Sequence, residues 1–167
     1  MLSKKIEKAL NKQIRIEAES SQIYLAMASW SDTKGYNGIA EFMYAHADEE
    51  RMHMLKIVKY VNERGGKAEI SDLIQPNQDY KTPKNMFETV LKHEIFVSES
   101  INELVAITFE EKDFATHNFL QWYVAEQIEE EATARTIIDK LNLIADTQSG
   151  FYMFDKDINT LFPHDEL

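Results

Sequence analysis

The chain predicts an all-α protein: a four-helix bundle with one long crossover between its second and third helices and a short fifth helix near the carboxyl end. Three observations predict it. Helix breakers are scarce, with 5 glycines and 3 prolines among 167 residues, while hydrophobic content is an ordinary 44%. Apolar residues recur at three- and four-residue steps through four stretches of helical length. Between these stretches three connections are short, which makes those neighbours antiparallel, and one is long enough to run back along the bundle.

Each element has its own start and stop signals. Ser3 can cap a first helix over about 4–32, which stops before Gly35. A second runs over about 37–64 and ends at Gly65-Gly66. Residues 67–82, KAEISDLIQPNQDYKT, lack a sustained helical period and hold Pro76, so they read as the crossover. Thr82-Pro83 is a cap followed by a first-turn proline for a helix over about 84–111. Asp113 caps a fourth over about 114–145, and after TQSG a short helix covers about 151–161 before Pro163. Each long helix is near 30 residues, about 45 Å.

The apolar stripes of the four long helices are all interrupted. They read Leu10, Ile14, Glu17, Ser21, Tyr24, Ala28; then Met43, His46, Glu50, His53, Ile57, Tyr60; then Phe87, Val90, Glu94, Val97, Ile101, Leu104; then Leu120, Tyr123, Gln127, Glu130, Ala134, Ile137, Leu141. Every stripe is broken by an acid near its midpoint, and antiparallel packing of equal-length helices brings midpoints to one level. Glu17 lies 33 residues before Glu50 and 36 before His53; Glu94 lies 33 before Gln127 and 36 before Glu130. The chain thus carries two half-sites of like spacing. Four carboxylates at one depth of a core repel one another, and each costs several kcal/mol in desolvation. No Lys or Arg lies on the stripes at that level. Two divalent cations would neutralise the four, and a carboxylate and imidazole set suits iron or manganese. The rival reading is a misassigned helical phase with the acids at the surface.

Composition narrows the partners. The formal net charge is −11, from 29 acids and 18 bases, which argues against nucleic-acid backbones and anionic membranes and permits cations. With no cysteine, disulfides and thiolate sites are excluded. The amino terminus is charged from Lys4 onward and lacks the apolar core of a signal peptide; no apolar run approaches a membrane span. The expected location is cytoplasmic. The last four residues, His164 to Leu167, match an endoplasmic-reticulum retention tag. Such a tag acts only on a protein already in the secretory route, so it reads as a chance match.

Glu17 with Tyr24, the segment HADEERMH, KHE at 92–94 and the run NFLQWYVAEQIEEE at 118–131 together resemble the bacterial non-haem ferritins over essentially the full length. One long crossover is also the ferritin-like topology, in which glutamates and Glu-x-x-His pairs from the four helices hold two metal ions. The resemblance implies a ferroxidase centre. Its first iron would bind Glu17, Glu50 and His53, and its second Glu50, Glu94 and Glu130, with Glu50 bridging and Gln127 a neutral neighbour. The second iron would then lack a histidine ligand and be held more loosely. A third iron position is implied at Glu49, Glu126, Glu129 and Glu130. Tyr24 would act beside the irons, as a redox or hydrogen-bonding group, or serve as a core aromatic; Trp122 is weighed the same way, with packing favoured. His46 is expected as a hydrogen-bonded core histidine, and His93 is expected to face away from Glu94.

The implied chemistry is oxidation of Fe(II) by dioxygen or peroxide and deposition of ferric oxyhydroxide inside a homo-oligomeric cage of 24 subunits, with the last helix near the fourfold axes. Two departures matter. Met52 and Met54 could suggest the haem of bacterioferritins, but the ligand methionine there directly follows the bridging glutamate, and Arg51 stands in that place; no haem is expected. The acids that line the threefold channel of animal ferritins are replaced by His117 and Leu120, so that entry route is not carried over. The rivals are a di-iron oxidase or peroxidase acting on another substrate, a non-catalytic helical binding bundle, and a mini-ferritin. The last places its iron ligands between subunits, which the complete intrahelical set here opposes.

Overall fold

The computed structural model of the chain describes residues 1–144 and 147–162. It contains α1 (Lys4–Thr33), α2 (Asn37–Glu63), α3 (Pro83–Glu110), α4 (Phe114–Ile144) and α5 (Gln148–Leu161). The expected caps are in place: Ser3 Oγ accepts from Ile6 N at 3.3 Å, Thr82 Oγ1 from Asn85 N at 3.1 Å, and Asp113 Oδ1 from Thr116 N at 3.1 Å. Pro83 occupies the first turn of α3, where its missing N–H costs nothing. The expected helix end at Ala145, the stop at Pro163 and the terminal tag lie outside the described residues.

Helix direction follows from pairs along the bundle. α1 and α2 form one hairpin, and α3 and α4 another. Residues 67–82 have no regular structure and run along α1. They leave α2 beside the start of α1, where Lys67 N donates to Glu7 and Glu69 N to Asn11, and they reach its far end, where Tyr80 packs edge-on to Trp30 at 5.5 Å. α3 therefore runs antiparallel to α1, from Met86 beside Ser31 to Ser100 beside Gln13 and Glu110 beside Lys5. α2 and α3 are parallel, which is what a long crossover achieves and a short turn cannot.

The core is split in two. One cluster, with Met27, Ile39, Met43, Phe87 and Ile137, fills the end nearer α5; the other, with Ile6, Leu10, Ile57, Ile101 and Leu120, fills the opposite end. The acid-bearing midpoints of the stripes lie between them. Leu120 belongs to the second cluster and is fully buried, so it lines no aqueous channel within the chain.

α5 begins at Gln148, three residues before the position the sequence suggested, because Phe151 N donates to Thr147 O and takes Gly150 into the first turn. It is pinned to the start of α2. The Asp155 carboxylate accepts from Gly38 N at 3.3 Å and Ile39 N at 2.9 Å, replacing the side-chain cap that Tyr36 does not supply. Gly38 is required by this approach: a Cβ there would stand 1.6 Å from the Asp155 carbonyl oxygen. Gly38→Ala should force α5 off α2 and cost about 3 kcal/mol, at the upper end of overpacking penalties. Chemical denaturation would measure it, and an unchanged midpoint would show that the contact carries no strain.

Candidate metal centre

The layer between the two cores is built by all four long helices, and its acids are dry: Glu17, Glu50 and Glu94 are 1–2% exposed. That disposes of the surface reading for these three. Glu130 is half-buried overall, with its side chain 14% exposed.

Each acid has a fixed neighbour. On α1, Glu17 Oε1 accepts from Gln13 Nε2 at 2.8 Å, and Gln13 Oε1 in turn accepts from Ser100 Oγ of α3 at 2.7 Å. On α2, Glu50 shares a hydrogen bond with Glu17, and its Oε2 lies 3.7 Å from His53 Nδ1. On α3, both oxygens of Glu94 are engaged: the Tyr24 hydroxyl donates to Oε1, and Gln127 Nε2 donates to Oε2 at 2.9 Å. On α4, Glu130 Oε2 lies 3.4 Å from His46 Nε2, while Nδ1 of that ring lies 3.4 Å from Glu49 Oε2. Tyr123 donates to the carbonyl of His53 at 2.8 Å and ties α4 to α2.

Burial and mutual repulsion set the protonation pattern. Desolvation pushes Glu50 well above the usual carboxylate range, reinforced by Glu94, Glu17 and Glu130. Desolvation raises Glu17 to about 7, although hydrogen bonds from Gln13 and Glu50 hold it down in part. It also raises Glu130 to about 7, against the counter-charge of His46. Burial works against the His46 imidazolium, yet Glu130, Glu49 and Glu94 outweigh it and raise this histidine to about 9. His53 goes the other way, to about 4, through burial and the positive charge of His46. Burial, then the charge of Glu94, raises the Tyr24 hydroxyl, so Tyr24 stays a neutral donor.

Among the described residues two sets bring three ligand atoms within 4.8 Å of one another: Glu17, Glu50 and His53, and His46, Glu50 and Glu130. Glu50 is common to both. The first set is the one the family resemblance implies for the first iron. Glu94 and Gln127 lie in the same layer but outside both sets, bonded to each other. Glu49, Glu126 and Glu129 also belong to neither: Glu49 contacts His46, Glu126 is half-buried with its charge felt by Lys56, and Glu129 is exposed. Glu131 turns to Ser98 Oγ, at 2.6 Å, and to Arg135.

Several residues exceed or amend the sequence expectations. His46 is not simply a core histidine, since it reaches Glu130 of the layer. His93 does turn from the Glu94 carboxylate, but inward: its Nε2 meets Ser20 Oγ at 2.7 Å and its ring stands edge-on to Tyr24 at 5.8 Å. Trp122 packs edge-on to His53 at 5.1 Å, with the Lys56 ammonium 3.2 Å over its ring, and so covers the outer side of the first set. Gln13 and Tyr123 were missed as site residues: Tyr123 lies on the traced stripe of α4, whereas Gln13 is buried beside the traced stripe of α1.

Residues 7–144 match the family described as Ferritin-like domain. The chain is 46% identical over 161 residues to a probable bacterial non-heme ferritin-like protein of Haemophilus influenzae, covering 96% of this chain and 98% of that one. It is 42% identical over 161 residues to the bacterial non-heme ferritin of Campylobacter jejuni, covering 96% of each. Among solved structures, an open pore ferritin from Archaeoglobus fulgidus superposes with a TM-score of 0.93 at 43% identity, over 95% of this chain and 98% of that one.

Carboxyls whose folded pKa is raised bind more protons folded than unfolded, so they destabilise the fold as pH rises. Glu17 and Glu130 do so from about 4.5 to about 7, and His46, raised to about 9, loses its contribution from about 6.5 to about 9. His53, held at about 4, opposes them only as pH falls below about 6.5. The metal-free protein should therefore be less stable at pH 8 than at pH 6, by roughly a few kcal/mol. Saturating Zn(II), which is redox-inert, should remove most of that difference. Calorimetric melting with chelator and with zinc tests both; equal midpoints at the two pH values in chelator would contradict the assignment.

Proposed function

The chain belongs to the ferritin family, and from that membership we propose that it stores iron by oxidising Fe(II) at the buried layer and depositing ferric oxyhydroxide within an oligomeric shell. The observation that supports a two-iron reaction most directly is Glu50, common to two ligand sets in a layer that otherwise holds unbalanced carboxylates. Iron is the substrate here. Two Fe(II) give up two electrons, which reduce dioxygen with two protons to hydrogen peroxide, or hydrogen peroxide with two protons to two waters. Each Fe(III) then hydrolyses with two waters to FeO(OH) and three protons.

The chain's part is to bind, orient and exclude water. In this reading Glu17, Glu50 and His53 receive one iron, and Glu50, Glu94 and Glu130 the other, Glu50 spanning both. Gln13 and Ser100 hold Glu17 in place, and Tyr24 and Gln127 hold Glu94. His53, kept neutral at neutral pH by its burial, offers a lone pair without first losing a proton. Glu49, Glu126 and Glu129, with Glu130, would form the third position, between the layer and bulk solvent. We take the assembly to be a homo-oligomer of 24 subunits, working in the cytoplasm without haem. No helix among the described residues is long and apolar enough to cross a membrane.

Fe(II) added without oxygen and then exposed to air tests the reading through ferric absorbance and particle size. The expected result is rapid oxidation of two irons per chain, followed by growth of mineral inside a large shell. Glu50→Ala should abolish the rapid phase, slowing it by at least about 100-fold, while circular dichroism reports an intact bundle. Survival of the rapid phase in that variant would refute the bridging role.

A further inference from the structure

A small cleft of about 120 Å³ lies between α3 and α4, outside both ligand sets. Its lining runs from exposed to buried: Ile128 is 68% exposed, whereas Gln127 is 6% and Ile101 1% exposed. Ile128 therefore stands at the mouth, and Gln127 and Ile101 form the floor. Gln127 is also the residue that grips Glu94, so it separates the cleft from the layer. We infer that the cleft binds a small, neutral hydrogen-bond donor at Gln127 Oε1 and serves as the passage for hydrogen peroxide between solvent and the layer. It rests on the two-iron reading, in which peroxide arrives as oxidant or leaves as product.

The amide of Gln127 carries the argument. Its Nε2 donates to the Glu94 carbonyl at 3.3 Å and to Glu94 Oε2 at 2.9 Å. Both partners are acceptors, so the NH2 group must face them, and Oε1 is the branch left to face the cleft. Among the described residues nothing donates to Oε1, although Gln127 is buried. A buried acceptor left without a donor costs about 1–3 kcal/mol, and a protic guest in the cleft supplies the missing bond. Size and lining select the guest. The cleft is smaller than the ~150 Å³ cavity that admits benzene, so an organic reductant is too large, while peroxide or a few waters fit. Dioxygen fits but has no proton to donate. Hydrated Fe(II) is disfavoured, since six waters alone occupy about 180 Å³ and Ile101, Val124 and Ile128 offer no ligand atom. The one acid of the lining, Glu131, is already engaged: it accepts from Ser98 Oγ at 2.6 Å and from Arg135. The Ser98 bond also ties α3 to α4 beside the cleft and fixes its width.

Ile128→Trp fills the mouth from an exposed position. In anaerobic stopped-flow oxidation of bound Fe(II) by hydrogen peroxide, the assembled variant should be slower than the unmodified protein by at least about 10-fold. Oxidation by dioxygen should stay within about twofold, and calorimetry should show both proteins binding Zn(II) alike. An unchanged peroxide rate in the assembled variant overturns the inference. Equal slowing with both oxidants also overturns it, since that marks a disturbed layer rather than a blocked route. If the unmodified protein shows no rapid oxidation with either oxidant, the two-iron reading itself fails, and the inference with it. Crystals of the zinc-loaded unmodified protein add an arm that needs no variant. Soaking in hydrogen peroxide, which zinc does not reduce, should place an elongated guest about 2.5–3.0 Å from Gln127 Oε1. An empty cleft, or one that keeps water alone after soaking, overturns the peroxide assignment. So does xenon held there under pressure with no guest at Oε1, which would give the cleft to dioxygen.

Discussion

Repulsion among carboxylates in a water-poor layer is the constraint to which the rest of the structure answers. Glu17, Glu50, Glu94 and Glu130 meet between two apolar cores, the first three too deep for solvent to screen them and Glu130 half-buried at the edge of the layer. Removing each from water costs several kcal/mol, and among the described residues the cationic side chain in direct contact with them is His46, at Glu130. Without cations the layer must hold protons at neutral pH. Two divalent cations, as proposed, would let it hold none and would balance the charges. The bundle keeps its ends apolar and concentrates its electrostatic cost in one stratum, where in the proposed reading the cost becomes affinity for cations.

Orientation of that stratum depends on hydrogen bonds that cross between helices. Ser100 of α3 fixes Gln13, which fixes Glu17; Tyr24 of α1 and Gln127 of α4 together fix Glu94 of α3; Tyr123 of α4 holds the backbone of α2 at His53. No ligand helix can slide by a turn without breaking one of these links. The long crossover serves the same end. By making α2 parallel to α3, residues 67–82 bring the midpoints of both hairpins to one height, with Glu69 and Tyr80 anchoring opposite ends along α1.

Periodicity made much of this legible before any coordinates. An acid on an apolar stripe is visible in a sequence because it breaks a rule, and Glu17, Glu50 and Glu94 do lie where the breaks placed them. What periodicity gives is a face and a height, not a partner. His46 and Gln13 both lie on buried faces, yet nothing in the order of residues says that one reaches Glu130 across the bundle or that the other is gripped by Ser100. Glu94 is the instructive case: the stripe places it in the layer, but only the fold reveals that Tyr24 and Gln127 occupy its oxygens. The early start of α5 was hidden because Gly150 reads as a breaker, whereas a glycine in a first turn is held by the backbone bond from Phe151 to Thr147.

The repeated spacing acquires a physical meaning at the one place where the two half-sites differ most. Glu17, Glu50 and His53 in the first half correspond to Glu94, Gln127 and Glu130 in the second. A glutamate at 127 would add a fifth carboxylate to a layer whose crowding already raises the proton affinity of Glu50 and Glu130. The amide contributes what an ionised acid cannot, an N–H donated to Glu94 at 2.9 Å. Glu50, by contrast, is the member common to both sets of ligand atoms among the described residues. The near-symmetry of the chain is therefore broken where a symmetric solution would carry two central carboxylates and an excess of charge. One shared acid, backed by an amide that steadies the far side, would leave four carboxylates facing the two divalent cations proposed.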